Sequence, residues 1–215
     1  YKSSSEFTGK RVLIVGAGNS GVDIACDASF AADQAFLSVR RGYHFVPKHL
    51  FGKPSDVFSE EGPKLPFFLQ QKIFVGLLRL INGDLTSYGL PKPDHKIFQT
   101  HPIMNTQILH YLGHGDCIAK GDIDYLDGKE VVFKDGSREQ IDLIITATGY
   151  KHSVPFLNGE EIPIKNGRPD LYLNMFPRNC SNMALIGFIE FASAAYENFD
   201  LMSELIVADI AGSAE

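Results

Sequence analysis

The first strong pattern in the chain is an unbroken apolar run, Arg11–Val15 (RVLIV). Continuous β-branched stretches of this kind fit a strand buried on both faces of a parallel sheet. Gly16–Gly21 then supplies a turn. Val22–Ala32 places Val22, Ala25 and Ala28/Ser29 on one face, as a helix packed against a sheet does. Gln34–Val39 returns to an apolar run and predicts a second short strand. Strand, turn, helix and strand in this order make a βαβ unit, whose crossover is right-handed.

The rhythm breaks over 43–102, a stretch rich in Pro, Gly, Phe and Lys, with one amphipathic helix expected at Leu65–Leu80. Insertions of this length are usually functional. Beyond it, a helix is expected at Ile103–Tyr111 and short strands at Cys117–Lys120 and Ile123–Leu126. Asp127–Gly128 is a hairpin signal, Glu130–Lys134 the following strand, and Asp135–Gly136 a second tight turn. Ile141–Thr146 reads as a buried strand ending in Ala147-Thr148-Gly149-Tyr150, Met183–Gly187 as a last strand and Leu201–Ala211 as a last helix. The pattern defines an α/β protein: a Rossmann-like, doubly wound parallel sheet with a small antiparallel β element and a helical insert.

Composition narrows the function. The chain has 215 residues, 44% hydrophobic and 21% charged, enough for a core without disulfides. A formal net charge of −6 argues against nucleic-acid binding, which needs a basic face. Cys26, Cys117 and Cys180 are scattered and form no CxxC pair, so they are expected as reduced thiols in a cytoplasmic protein. No run approaches the roughly 18 apolar residues that read as a membrane span, since Leu65–Ile81 is broken by Gln70, Gln71, Lys72 and Arg79. No charged-then-apolar leader is seen, and the start at Tyr1 without methionine is expected of a piece of a longer chain. Composition leaves homo-oligomerisation open.

The chemistry sits in Gly16-Ala17-Gly18-Asn19-Ser20-Gly21, a GxGxxG that follows a strand and opens a helix. Gly16 permits the tight turn, Gly18 lets a pyrophosphate approach the backbone, and Gly21 lets helix and strand pack closely. The helix start offers free N–H groups and a positive dipole end, and Asn19 and Ser20 add side-chain donors. The end of the second strand selects the dinucleotide. An Asp or Glu there would accept from a ribose 2′-OH, whereas arginine neutralises a 2′-phosphate. Here Arg40-Arg41 stands at that place, so NADP(H) is expected over NAD(H). Sequence cannot separate the roles of the pair.

With these elements placed, the chain resembles the class B flavin-containing monooxygenases, especially bacterial members. The resemblance rests on Gly9–Ala25 (GKRVLIVGAGNSGVDIA), Ser38–Gly42 (SVRRG), Tyr88–His95 (YGLPKPDH) and Asp142–Tyr150 (DLIITATGY). It implies that residues 1–150 form an NADPH-binding domain carrying the insert 43–102. Residues 151–215 would then be a remnant of the returning FAD-binding domain. In such enzymes NADPH reduces FAD, and a C4a-hydroperoxyflavin oxygenates a soft nitrogen or sulfur nucleophile or a ketone. Gly16, Gly18, Asn19, Ser20 and Gly21 would hold the pyrophosphate, Arg40 and Arg41 the 2′-phosphate, and Ala147, Thr148 and Gly149 would lie beside the bound NADPH. No catalytic nucleophile is required.

The chain departs from the family in having one glycine motif, so its FAD site is incomplete, and Glu190–Ala194 lacks the expected glycine- and proline-containing turn. The fragment alone is expected to be inactive. The alternative is a stand-alone NADP(H)-binding or sensing module; a disulfide reductase would need the missing CxxC.

Other features read as structural. His110 and His114 have chelating spacing, but Gly113 is expected to end their helix and no carboxylate completes a set. His95 and His101 flank a loop near the expected nicotinamide region and read as surface or hydrogen-bonded histidines. Phe45, Phe51, Phe58, Phe67, Phe68 and Phe74 are expected to pack the insert onto its domain. Glu60–Glu61 reads as a solvated face.

Overall fold

The computed structural model describes residues 1–60, 65–157, 162–189 and 195–212. The chain divides into two compact units, Tyr1–Gly149 and Tyr150–Glu215.

The first unit is built on strand β1 (Arg11–Val15), helix α1 (Asn19–Ala31) and strand β2 (Gln34–Ser38). A hairpin of β3 (His49–Leu50) and β4 (Lys53–Pro54), helix α2 (Ser55–Glu60) and helix α3 (Phe67–Asn82) make up much of the insert. Helix α4 (Gln107–His114) leads into β5 (Cys117–Lys120). Strands β6 (Ile123–Asp127), β7 (Glu130–Phe133) and β8 (Arg138–Gln140) form an antiparallel meander, and β9 (Leu143–Thr146) closes the unit.

The central sheet has the order β5-β2-β1-β9 with every pair parallel. It explains why Val12, Leu13, Ile14, Ala35, Phe36 and Leu37 are unbroken apolar runs: all six are fully buried, because both faces are covered. Val12, Ile14 and Leu37 pack with Val22, Ala25 and Ala28 of α1 and Ile108, Leu109 and Leu112 of α4. Leu13 and Phe36 face the other way, onto Val131, Phe133 and Ile141 of the meander. Burying a side chain such as Phe36 stabilises by ~2–3 kcal/mol.

Local chemistry sets the element boundaries. Helix α3 starts after Pro66, which lacks the N–H a helix interior needs, and stops at Gly83, whose φ is 74°. It therefore lies two residues beyond the expected Leu65–Leu80. Helix α4 starts at Gln107 rather than Ile103, because Ile103 pairs with Phe45: Val46 N–H donates to the Ile103 carbonyl at 2.8 Å, and Ile103 N–H to that of His44 at 2.9 Å. Strand β8 carries no hydrophobic residue and was not anticipated. Charge holds it: Glu139 bridges Arg11 and Lys120, both at 2.7 Å, across to the central sheet. The insert has a small core of its own, Val46, Leu78 and Ile97, flanked by Phe74, Phe98 and Met104. Phe45 is buried and Phe74 packs on Phe98, but Phe51, Phe67 and Phe68 are exposed. Glu60–Glu61 falls outside the residues whose side chains are described.

The second unit holds two short hairpins, β10 (Ile164–Lys165) with β11 (Arg168–Pro169) and β12 (Leu171–Tyr172) with β13 (Phe176–Pro177), followed by helix α5 (Ala195–Ile210). The strand expected at Met183–Gly187 does not form. A strand exists through its ladder, and among the described residues this segment makes a single backbone bond, Leu185 N–H to the Met175 carbonyl at 2.8 Å. Helix α5 begins six residues earlier than expected at Leu201. Glu190–Ala194 lies outside the described residues.

Candidate functional site

The residues expected to act together stand at the carboxyl ends of three adjacent parallel strands, β2, β1 and β9, where open α/β sheets bind ligands. Gly16 leaves β1 with a φ of 108°, and a Cβ there would lie 2.5 Å from the Ala147 carbonyl oxygen. A Cβ on Gly21 would lie 2.0 Å from the Gly16 carbonyl oxygen. These two glycines are fixed by close backbone approach. Gly18 is different: its φ is −70°, and a Cβ there would meet no atom within 4 Å. The space beside the Gly18 backbone is therefore open. Gly18 is also the N-cap of α1, with no side-chain cap and no acid in the first turn. Among the described residues no side chain caps the first N–H groups of the helix, the kind of helix start that can accept an anion.

Asn19 and Ser20 separate here. Asn19 Oδ1 accepts from Met104 N–H at 2.8 Å, so it ties the end of the insert to the glycine turn. Only its Nδ2 remains to donate. Ser20 is exposed, and its hydroxyl has no protein partner among the described residues.

The two arginines also differ. Val39 N–H donates to the Lys120 carbonyl at 2.8 Å, and Ser38 Oγ to that of Gly121 at 2.8 Å, so the end of β2 is held rigidly against β5. Arg40 and Arg41 follow, both exposed. The Arg41 guanidinium stacks over Tyr43 at 5.1 Å. Arg40 has no ion pair or hydrogen bond among the described residues. The acid whose field it feels is Asp122, bonded to Lys134 at 2.6 Å; Lys134 first, and Arg40 more weakly, hold that carboxyl below its usual range.

Ala147 N–H donates to the Val15 carbonyl at 2.8 Å, so the segment after β9 lies against the glycine turn. Thr148 and Gly149 are exposed there. The structure thus brings Gly16–Gly21 and Ala147–Gly149 into contact and sets Arg40 one strand away.

Sequence reasoning missed Tyr43, Asp122 and the Met104–Asn105 latch. Asn105 is buried; its Nδ2 donates to Asp23 Oδ1 at 2.7 Å, and its Oδ1 accepts from Ile108 N–H at 3.3 Å. No local pattern signals a contact across some eighty residues.

The histidines and cysteines singled out in the sequence lie as follows. His95 is held by Asp94 at 2.7 Å and Thr100 at 2.7 Å, and its bond keeps the Asp94 carboxyl below its usual range. His101 is exposed. His110 and His114 lie with ring centroids 4.1 Å apart, yet no group of three metal-ligating side chains exists among the described residues. Burial pushes the Cys26 thiol up to about 11 and that of Cys117 to about 12, so neither is an activated nucleophile. No helix of the described residues is long and apolar enough to cross a membrane.

The fold is an α/β fold with a Rossmann-type parallel sheet of four strands. The chain belongs to the flavin-binding monooxygenase-like family, whose model matches residues 1–214. It is 36% identical over 203 residues to flavin-containing monooxygenase 5 of Cavia porcellus, covering 88% of this chain and 37% of that protein. It is 33% identical over 177 residues to the probable indole-3-pyruvate monooxygenase YUCCA9 of Arabidopsis thaliana, covering 79% of this chain and 42% of that protein. The chain therefore spans well under half the length of these relatives. Among solved structures, OTEMO in complex with FAD and NADP superposes with a TM-score of 0.62 at 16% identity, over 98% of this chain and 53% of that one. Tmm from Pelagibacter sp. gives 0.58 at 20% identity, over 99% and 34%. At these identities the likeness is one of fold.

Proposed function

We propose that residues 1–150, with the insert 43–102, are the NADPH-binding domain of a flavin-dependent monooxygenase, and that residues 151–215 belong to the return into its FAD-binding domain. The observation that carries this reading is the open cradle at Gly18, one strand away from a free Arg40. The pyrophosphate would rest on the N–H groups of the first turn of α1, with Asn19 Nδ2 and Ser20 Oγ as further donors. Arg40 would meet the 2′-phosphate, and Arg41, already stacked on Tyr43, would flank it. Ala147–Gly149 would line the cofactor's path past β9.

Bound NADPH supplies a hydride, and the protein's part is to hold and orient it. The chain carries one GxGxxG, at Gly16–Gly21, and its residues do not build a second one for FAD. Oxygenation of a soft nitrogen or sulfur compound or a ketone is the activity proposed for the whole enzyme, supported by family membership. The test is a fluorescence titration of the chain with NADPH and NADH. NADPH is expected to bind at least about tenfold tighter, the worth of one charge-assisted phosphate contact. Equal affinities would overturn the reading.

A further inference from the structure

A cleft of about 360 Å3 opens in the first unit between α3 and the segment 83–95, within the size range of small-molecule sites. None of the residues assigned above to the dinucleotide lines it. Phe45, Val75 and Leu78 give it an apolar wall. Asn82, at the end of α3, lines it while only 9% exposed. Its Nδ2 donates to the Phe45 carbonyl at 2.8 Å, which fixes the orientation of the amide. Among the described residues no donor reaches its Oδ1, and a buried acceptor left unpaired by protein is rare.

Two cations, Arg79 and Lys92, also line the cleft, and neither has an ion pair among the described residues. The one acid in the lining is Asp84. Its Oδ1 is taken up by Thr86, at 3.0 Å to the backbone N–H and 2.9 Å to the hydroxyl. The lining is thus net positive, apolar on one side, and short of a donor at Asn82.

We propose that this cleft binds a small organic acid. Its carboxylate would meet Arg79 and Lys92, its hydroxyl or N–H would donate to Asn82 Oδ1, and its apolar body would lie on Phe45, Val75 and Leu78. An arginine and a lysine that make no ion pair among the described residues, with only the field of Asp84 near them, suit a carboxylate, and an apolar wall beside a few placed polar groups is the usual make-up of such sites. A neutral amphiphile of the same shape leaves both cations unanswered and binds less well.

The probe is 4-hydroxybenzoate, with benzoate and 4-hydroxybenzyl alcohol as controls, titrated against the chain by nuclear magnetic resonance. Saturable shifts are expected in the backbone amides of 75–84 and 92–95. The alcohol, without charge, is expected to bind about tenfold more weakly, and benzoate, without the distal donor, a few-fold more weakly. Arg79→Gln with Lys92→Gln is expected to cost about tenfold or more, with NADPH affinity unchanged. Lys92→Gln alone, on an exposed segment, provides a weaker version of the same loss if the double variant does not fold. Absence of saturable binding, shifts centred outside the cleft, or equal binding by the variants overturns the proposal. Equal binding of benzoate and 4-hydroxybenzoate overturns the role of Asn82. NADPH affinity is read in the same samples, so this site and the dinucleotide site fail separately.

Discussion

Replacing Arg40 by alanine removes a guanidinium that no group among the described residues hydrogen-bonds or pairs with, and it should do so without disturbing the fold. The side chain is exposed, makes no hydrogen bond among the described residues, and follows the buried Val39 that anchors the end of β2. A hydrogen bond to a charged group contributes ~1.5–3 kcal/mol. Solvent screening at an exposed site brings the expected value to the lower end. About 1.5 kcal/mol is roughly a tenfold loss of affinity. The loss is specific in form: NADPH weakens about tenfold while NADH, lacking the 2′-phosphate, changes less than about twofold. Arg41→Ala should cost less in this ratio, because Arg41 is committed to Tyr43. The assay is nucleotide fluorescence at two ionic strengths, with thermal melting as the control for folding. The phosphate contact also predicts that the NADPH preference shrinks as salt rises. A variant that keeps the full preference, or one that loses both nucleotides equally, refutes the assignment of Arg40 to the phosphate.

The two outer glycines and the central one should behave oppositely. Gly21→Ala forces a Cβ to within 2.0 Å of backbone oxygen, so it should lower stability by ~1–3 kcal/mol in a denaturant titration. Gly18→Ala meets open space at an ordinary φ and should melt as the wild type does, yet bind NADPH about tenfold more weakly as its methyl enters the cradle. Asp122→Asn removes the acid that faces Arg40 and should raise the ratio of NADPH to NADH affinity about two- to threefold at low salt. Near pH 8 a thiol reagent should modify Cys180 quickly, but Cys26 and Cys117 only on unfolding, since burial holds both thiols protonated.

What could be read from the sequence follows the range of the forces involved. The run Arg11–Val15, the glycine spacing after it and Gln34–Ser38 are local, and each fixes its own conformation: apolar continuity demands cover on both faces, and a GxGxxG between strand and helix demands a tight turn. The same logic found Cys117–Lys120 and the end of the strand at Thr146. It failed where a partner decides. Strand β8 exists through its ladder with β7, reinforced where Glu139 reaches Arg11 and Lys120, and nothing in Arg138-Glu139-Gln140 itself favours a strand. Met183–Gly187 is apolar enough for a strand but has no ladder. The site divides in the same way. Gly16 and Gly21 were legible because backbone approach leaves one residue type, whereas the difference between Arg40 and Arg41 depends on Tyr43 engaging Arg41 and on Asp122 lying within the field of Arg40. Asn19 sharpens the point. Its place in the glycine motif marks it as a phosphate donor, yet its Oδ1 holds Met104, eighty-five residues on. One amide therefore joins the insert to the cradle, and a change in the insert that withdraws Met104 frees the Asn19 side chain at the mouth of the site.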